Sequence, residues 1–454
     1  MAALPPLSLY VHFPWCVRKC PYCDFNSYTL HGDLAEASYV GALERDLEAQ
    51  ASGARGREVV SIFLGGGTPS LFSPEAIGRV IKAVRNRLRV APDAEVTMEA
   101  NPGTVERGRF EEYRAAGVTR VSLGAQSFAD PQLRALGRIH SADETRRAAQ
   151  ELHEAELHNF NLDLMYALPG QDVAAAVRDV EQALELRPAH LSHYQLTIEQ
   201  GTVFAGNPPC LPEDDTAAEM LEACRSRLNE HGFSQYEVSA YALAGRRCRH
   251  NLNYWTFGDY LGIGAGAHGK LTLADTGSLT ERSTGADSSR GANANTGTNA
   301  NTGTNANTGA DANTGADASA GADASRGGGR RAQDAPLIIV RTQQTRDPRR
   351  FIANPTGQLA RRAVTPADLP FEFMLNALRL VEGFERGLFR ERTGLQWPEV
   401  AGRIAALEAR GLLEIDGTMC RASARGLQFL NDVLLSFLGK STKTTGSFGL
   451  STAL

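Results

Sequence analysis

Over the first two hundred residues, short apolar runs alternate with longer stretches of helical spacing, and glycine, proline or cysteine marks the ends of the runs. Ser8 to His12 is a short apolar strand that ends at a cysteine cluster. Asp33 is placed to cap a helix running to about Ala51, and Val59 to Leu64 is a strand stopped by Gly65-Gly66-Gly67. Ser73-Pro74 opens the next helix, with Ser as N-cap and Pro at the first helical position. Glu95 to Ala100 is a third strand, ended by Asn101-Pro102-Gly103, and after a helix comes the strand Arg120 to Leu123, then Gly124. A helix from Ala142 to Glu154 leads to the strand Asn161 to Leu168, stopped by Pro169-Gly170; another helix precedes the strand Leu191 to Ile198. Six βα repeats predict a parallel sheet with helices packed outside it, as an open doubly wound sheet or a curved, incomplete barrel. The cysteines, the glycine run, Glu99 and Gln126 sit at or near strand ends. Barrel chemistry gathers where strands end, so the pattern favours an α/β fold built on an incomplete parallel (β/α)6 barrel over residues 1–205.

Beyond about residue 205 the pattern changes. Glu213 to Glu230 is one helix and Phe233 to Ser239 a strand, followed by an arginine-rich turn, Arg246, Arg247, Cys248 and Arg249. Tyr260 to Lys270 is rich in glycine, and Lys270 to Leu273 and Leu337 to Gln343 are strands. Between them, from Glu281 to Ala335, no apolar residue larger than alanine appears, and glycine recurs every sixth position from Gly297 to Gly327. A period of six suits a β-helix only if branched apolar residues point inward, and alanine cannot supply that core. The composition predicts a disordered insertion, 281–335, at a hairpin tip within a segment spanning 206–364. Phe371, Met374, Leu375 and Leu378 then mark one apolar helix face. A second helix, Val400 to Arg410, a short strand at Leu412 to Ile415 and a last helix, Arg425 to Phe437, suggest a small helical, winged-helix-like domain over 365–440 and a loose tail, 441–454.

Composition narrows the function. The 454 residues carry 47 Lys and Arg against 52 Asp and Glu, a net charge of −5, without the clustered basic footprint of a nucleic-acid binder. The mixed charge of the C-terminal segment points to packing or interaction, not DNA. No run of 18 apolar residues exists and no signal peptide is visible, so a cytoplasmic location is expected. The seven cysteines are an odd set for a disulfide scaffold, and three of them form Cys16-x3-Cys20-x2-Cys23. Three thiolates on one short loop suit three irons of a [4Fe–4S] cluster, leaving a fourth iron open to a chelating ligand such as the amino and carboxylate groups of S-adenosylmethionine. Zinc competes, but structural zinc prefers four protein ligands, here only with help from His12 or a remote cysteine.

The stretch Tyr10-Val11-His12-Phe13-Pro14-Trp15-Cys16 through Cys20-Pro21-Tyr22-Cys23-Asp24-Phe25 resembles the start of radical SAM proteins of the oxygen-independent coproporphyrinogen oxidase group. The likeness continues through Gly65-Gly66-Gly67-Thr68-Pro69, Glu99-Ala100-Asn101-Pro102, Ser122 to Phe128, Asp163 to Gln171 and His250-Asn251-Leu252-Asn253-Tyr254-Trp255. Within the group the chain is most similar to the HemW-type haem chaperones. The resemblance implies a radical SAM barrel. It implies cluster ligation by Cys16, Cys20 and Cys23, Tyr10 and Tyr22 flanking the cofactor, and Gly66, Gly67 and Thr68 facing the methionine end of S-adenosylmethionine. Glu99, Gln126, Arg138 and Asp163 match cofactor-contacting positions. Carboxylates accept from hydroxyls and ammonium, and arginine pairs a carboxylate.

The porphyrinogen-oxidising relatives carry a further cysteine where this chain has Phe25, and a longer N-terminal arm. Both departures favour the chaperone branch. Its motif puts His250, Tyr254 and Trp255 forward as haem contacts: an imidazole as axial ligand and two aromatic faces for the macrocycle. Arg246, Arg247 and Arg249 are candidates for the propionates, and Cys248 for a thiolate. The plainer reading is that the aromatics pack a local core while His250 hydrogen-bonds within it. Two functions from different classes follow. One is a haem-binding chaperone that delivers haem to respiratory proteins, membrane-bound recipients included, with the cluster and S-adenosylmethionine assisting. The other is an enzyme, an oxygen-independent coproporphyrinogen III oxidase.

Overall fold

The computed structural model describes residues 4–103, 108–274 and 337–439. Six strands, β1 (Leu7–Phe13), β2 (Glu58–Gly66), β3 (Arg89–Ala100), β4 (Arg120–Gln126), β5 (Phe160–Tyr166) and β6 (His190–Gln195), pair parallel with their neighbours in chain order. Helices follow them: α1 (Glu36–Gln50), α2 (Pro74–Arg87), α3 (Phe110–Ala115), α4 (Ala142–Glu154), α5 (Val173–Glu185) and α6 (Asp214–Glu230). A doubly wound sheet reverses its strand order at a switch point. Here the order never reverses, so right-handed crossovers put the βα helices on one face, and the sheet is an incomplete barrel whose other face turns inward.

Side chains alternate across that sheet, as a period of two requires. Leu7, Leu9, Val11 and Phe13 of β1 are fully buried in the main hydrophobic core, while Ser8, Tyr10 and His12 take the opposite face. Val121 and Leu123 of β4, and Leu162 and Leu164 of β5, belong to the same core; Arg120, Ser122, Asn161 and Asp163 alternate with them. The barrel interior is therefore lined with polar groups, whereas parallel strands covered on both faces would be apolar throughout.

Local capping follows the sequence at two helices. Ser73 Oγ accepts from Ala76 N at the start of α2, and Ser141 with Glu144 forms a capping box on α4. At α1 the expected cap by Asp33 is not found: Ala35 is the N-cap and offers no side-chain bond. Glu36 in the first turn reaches across to Ser73, accepting from its backbone N at 2.6 Å and its Oγ at 2.9 Å, so the two helix starts hold each other.

The sheet extends past the barrel at both edges. β7 (Ser234–Glu237) and β8 (Ala240–Ala242) add antiparallel beside β6. Next in the chain is α7 (Arg249–Trp255), which the sequence pattern does not predict, beginning at the last residue of the predicted arginine-rich turn. Its seven residues place three aromatic or imidazole rings on barely two turns, too short a segment for a periodic signal. At the other edge β9 (Asp259–Ile263) runs parallel to β1, followed by the antiparallel β10 (His268–Ala274), β11 (Leu337–Gln343) and β12 (Ala360–Ala363). No strand was expected at β9 because glycine interrupts it. Gly262 is required there, since a Cβ would strike the His268 carbonyl of the neighbouring strand. β10 and β11 pair from His268↔Gln343 to Ala274↔Leu337, the hairpin that the sequence predicts. The insertion 281–335 and the tail 441–454 lie outside the described residues.

A second hydrophobic core gathers Phe373, Met374, Phe384, Phe389, Val400, Leu413 and Phe437 around Phe257 and Ile339. Its elements run α8 (Leu369–Ala377), β13 (Phe384–Glu385), α9 (Arg386–Thr393), α10 (Pro398–Ala409), β14 (Leu413–Asp416) and β15 (Met419–Ala422), with sheet order β13-β15-β14. Helix, strand, two helices and a two-strand wing is the winged-helix arrangement. The last predicted helix is broken at Phe429 into Ala424–Gln428 and Leu430–Leu435. Arg379 pairs with buried Glu237 at 3.0 Å and Val381 N donates to Tyr236 O at 3.1 Å, which fastens this segment to the barrel's edge strand. Among the described residues no helix is long and apolar enough to cross a membrane.

Candidate functional site

Cys16, Cys20 and Cys23 lie on the loop that leaves β1, and all three are partly exposed. The loop is held by main-chain bonds: Tyr28 N to Pro14 O at 2.8 Å, Leu30 N to Cys16 O at 2.8 Å and Cys23 N to Cys20 O at 3.2 Å. Lys19 Nζ reaches back to Phe25 O at 2.9 Å and Ser27 O at 3.1 Å, curling the chain around the thiols. Burial pushes the Cys16 thiol up to about 11 and raises Cys23 as well. The protein alone thus leaves these two groups as thiols, and a bound metal would have to drive their ionisation. The other four cysteines lie elsewhere in the chain. Among the described residues no three His, Cys, Asp or Glu side chains converge to hold a single metal ion. An iron–sulfur cube needs no such convergence, because each cysteine takes its own corner, and three thiols on one loop leave a corner for another ligand.

The ends of β2, β3 and β4 meet this loop through one hydrogen-bonded chain. Gly67 N donates to Phe13 O at 2.6 Å and Thr68 N to Trp15 O at 2.8 Å, so the glycine run lies against the root of the cysteine loop. A Cβ on Gly67 would stand 2.6 Å from Trp15 O. Gly66, at φ +115°, adopts a conformation that glycine permits and turns its N–H to Glu99 Oε2 at 2.9 Å. Thr68 Oγ1 accepts from Asn101 Nδ2 at 2.9 Å, and Asn101 Oδ1 accepts from Arg138. Arg138 also donates to Gly124 O at 2.8 Å and points Nη1 at Cys20 Sγ, 3.6 Å away. Tyr22 sits by the same guanidinium, with its ring 6.4 Å from Phe204.

Two carboxyls line the barrel interior beside this chain. Burial pushes Glu99 up to about 8 against the bond from Gly66, and the negative charge of Asp163 raises it further. Burial also raises Asp163, which accepts from Asn161 Nδ2 at 2.8 Å, Tyr194 OH at 3.1 Å and Ser122 Oγ at 3.1 Å. Such a pair is satisfied by a ligand carrying positive charge and hydroxyl donors, which is how S-adenosylmethionine presents itself. Tyr10 closes the side, its hydroxyl 2.9 Å from His12 Nδ1. Gln126 ends β4 at φ +66°, an unusual conformation for a residue with a side chain. Asp179 of α5 holds the next turn in place, accepting from Phe128 N at 2.7 Å and Ser127 Oγ at 2.8 Å. The sequence reading missed Asn101 and Asp179. The first was visible as an Asn-Pro at a strand end, but the second had no signal, being one more polar residue on a helix.

The structure brings Cys20, Thr68, Glu99, Asn101, Arg138 and Asp163 into one connected region; the haem-motif residues divide. His250 is 3% exposed, with its ring stacked on Phe63 (centroids 4.9 Å) and edge-on to Tyr254 (4.8 Å). Its Nδ1 lies 3.2 Å from Ser61 Oγ, and its buried Nε2 has no hydrogen-bond partner among the described residues. Burial lowers it to about 3, so the ring is neutral. Trp255 is packed under Arg379, whose guanidinium stands 4.4 Å from the ring. Arg247 and Arg249 already pair with Glu382 and Asp93, while Arg246 is exposed. Cys248 is buried, and burial first and then the charge of Glu95 push its thiol up to about 12, so without a bound metal it is a neutral thiol.

Residues 10–186 match the radical SAM superfamily and residues 364–429 the HemN C-terminal domain. The heme chaperone HemW of Escherichia coli is 42% identical over 97% of this chain and 100% of its own length. That of Haemophilus influenzae is 39% identical over 96% and 99%. Among solved structures, the radical SAM enzyme coproporphyrinogen III oxidase (HemN) of Escherichia coli superposes with a TM-score of 0.69 over 96% of this chain and 90% of its own, at 19% identity, a likeness of fold. With near-complete coverage by sequence relatives and the same barrel and C-terminal segment in space, the chain belongs to the HemW family of heme chaperones within the radical SAM superfamily.

Proposed function

We propose that the protein binds haem and passes it to haem-dependent respiratory proteins, with a [4Fe–4S] cluster on Cys16, Cys20 and Cys23 and S-adenosylmethionine at the cluster's open corner. Gly66, Gly67 and Thr68 present backbone and hydroxyl to the methionine end, Arg138 takes its carboxylate, Glu99 and Asp163 take ammonium and hydroxyl groups, and Gln126, Tyr10 and Tyr22 border the site. When bound, the cluster supplies one-electron reduction of the sulfonium. The observation that carries the reading is the hydrogen-bonded chain from Thr68 through Asn101 and Arg138 to Cys20, which couples the ligand-facing strand ends to the cysteine loop.

For haem, the supporting observation is the neutral imidazole of His250, whose Nε2 has no hydrogen-bond partner among the described residues and whose ring lies between aromatic faces. Tyr254 borders it, and Trp255 contacts haem once Arg379 swings from its face. The division of labour is a cofactor-binding barrel over 1–205, a haem-motif segment over 206–364 and a docking or packing domain over 365–440.

The test is anaerobic purification with iron, sulfide and haem assays on the parent and on His250→Ala. Cluster in both and haem in the parent alone support the reading, whereas equal haem in both places the ligand elsewhere. Incubation with coproporphyrinogen III under reducing conditions addresses the enzymatic alternative, and catalytic formation of vinyl groups would establish it.

A further inference from the structure

We infer that Asn26 is the positioning residue of the cysteine loop, clipping it to a turn and hairpin formed more than two hundred residues later. The inference rests on the cluster reading of Cys16, Cys20 and Cys23. Asn26 lies three residues beyond Cys23 and uses its whole side-chain amide. Nδ2 donates to Ala265 O at 2.9 Å and Arg346 O at 2.9 Å. Oδ1 accepts from Arg346 Nε at 3.2 Å and Tyr28 OH at 3.3 Å. Its carbonyl meets His12 Nε2 at 2.9 Å, and Tyr28 OH donates to Arg346 O at 3.1 Å.

The receiving surface is tied down by hydrogen bonds from several elements. The turn between β9 and β10 is tied to α1 and β1: Gly264 N donates to Asp46 Oδ2 at 3.0 Å, Ala265 N to Tyr39 OH at 3.0 Å, and Tyr39 OH to His12 O at 2.7 Å. Gly266 N donates to Thr345 O at 2.7 Å and Gln344 N to Ala267 O at 2.8 Å, closing the base of the β10–β11 hairpin. Gly266 sits at φ +86° directly against the Asn26 amide, where any Cβ would overlap it. A loop that must hold three sulfurs on three corners of a cube loses conformational freedom when it does so. Asn26 removes that freedom beforehand, from the side of the loop that carries no cysteine. The same hairpin opens at Ala274 and Leu337 onto the insertion, at the opposite end of its ladder and ~20 Å from the clip at strand spacing.

The experiment uses the full chain, reconstituted anaerobically with iron and sulfide. Bleaching of the cluster absorbance by an iron chelator is timed for the parent, for Asn26→Ala, and for Tyr28→Phe/Arg346→Ala. The double variant removes only the outer bonds, through two exposed side chains, and keeps the fold. Thermal melting of the metal-free proteins checks folding, and the electron paramagnetic resonance spectrum of the reduced cluster reports its geometry. Asn26→Ala is expected to bleach at least ~10-fold faster and to show shifted g-values, with the double variant bleaching a few-fold faster. Rates within twofold of the parent and unchanged g-values in both variants would overturn the inference. Absence of any cluster in the parent would overturn the cluster reading instead.

Discussion

Glu99 offers a quantitative test of the cofactor site. In the free protein burial and the nearby Asp163 push its carboxyl up to about 8, although Gly66 N–H favours the charged form. At pH 7 the protonated form of Glu99 is therefore favoured in the free protein. A ligand presenting an ammonium group to this carboxyl selects its ionised form, so on the proposed placement S-adenosylmethionine binding releases a proton. The sign follows from linkage. Below the free-state value each unit of pH lost costs about 1.4 kcal/mol, or ~10-fold in dissociation constant. The window from pH 5.5 to 7 is the useful one, since above it the ligand's own α-amino group begins to titrate, near ~7.7–8. Calorimetric titration of the cluster-loaded protein at pH 6.5, in two buffers of different ionisation enthalpy, counts the protons directly. Expected are close to one proton released and a steep loss of affinity toward pH 5.5, both abolished in Glu99→Gln. A buffer-independent enthalpy, with affinity flat across the window, would refute the placement of the ligand's cation at Glu99. In the ligand-free protein the raised carboxyl acts in the opposite sense: its contribution to stability is present below its unfolded value and is lost as pH rises toward 8.

Three further outcomes follow from the structure. Gly67→Ala forces a methyl against Trp15 O and Phe13 O and breaks the two backbone bonds that seat the glycine run; this should cost ~2–4 kcal/mol locally and abolish S-adenosylmethionine binding, while circular dichroism stays native and cluster content is retained. Asp259→Ala strands buried Lys270, whose Nζ lies 2.8 Å from Asp259 Oδ1 and 4.2 Å from the Phe257 ring centroid, and should lower the urea midpoint by the equivalent of ~3–5 kcal/mol, a shift under 1 kcal/mol showing the pair to be dispensable. Replacing residues 275–336 by a four-residue turn should preserve soluble yield, melting temperature and cluster content, because Ala274 and Leu337 already face each other across the ladder; loss of the folded protein would show that the segment supports the sheet.

Much of the fold was legible in the sequence because it is written locally. The capping box at Ser141 and Glu144 set the start of α4 at the predicted residue, and Ser73-Pro74 did the same for α2. Where a short element depends on distant partners the signal vanished: β9 is interrupted by a glycine demanded by its neighbour, and α7 is too short for a period. Asp33 had the right chemistry for a cap and the wrong position, since α1 begins three residues later and is held through Glu36 to Ser73.

The cysteine spacing, the glycine run and the order of the motifs were determined by the sequence alone, since each is a short-range pattern of residue types that needs no folded context to be recognised. The sequence predicts Ser8 to His12 as an apolar strand, and only the folded sheet shows that Ser8, Tyr10 and His12 face the barrel interior together with Arg120, Ser122 and Asp163. Only the tertiary structure decided that the sheet curves in sequential order, that Arg138 joins Asn101 to Cys20, and that Asn26 meets a turn formed at residues 264–267. It also decided that His250 and Trp255, neighbours on one short helix, meet different surroundings. The physical reason is the range of the forces involved. Caps, turns and periodicity are set by bonds within a few residues, whereas hydrogen-bond satisfaction and burial depend on which segments the whole chain brings together.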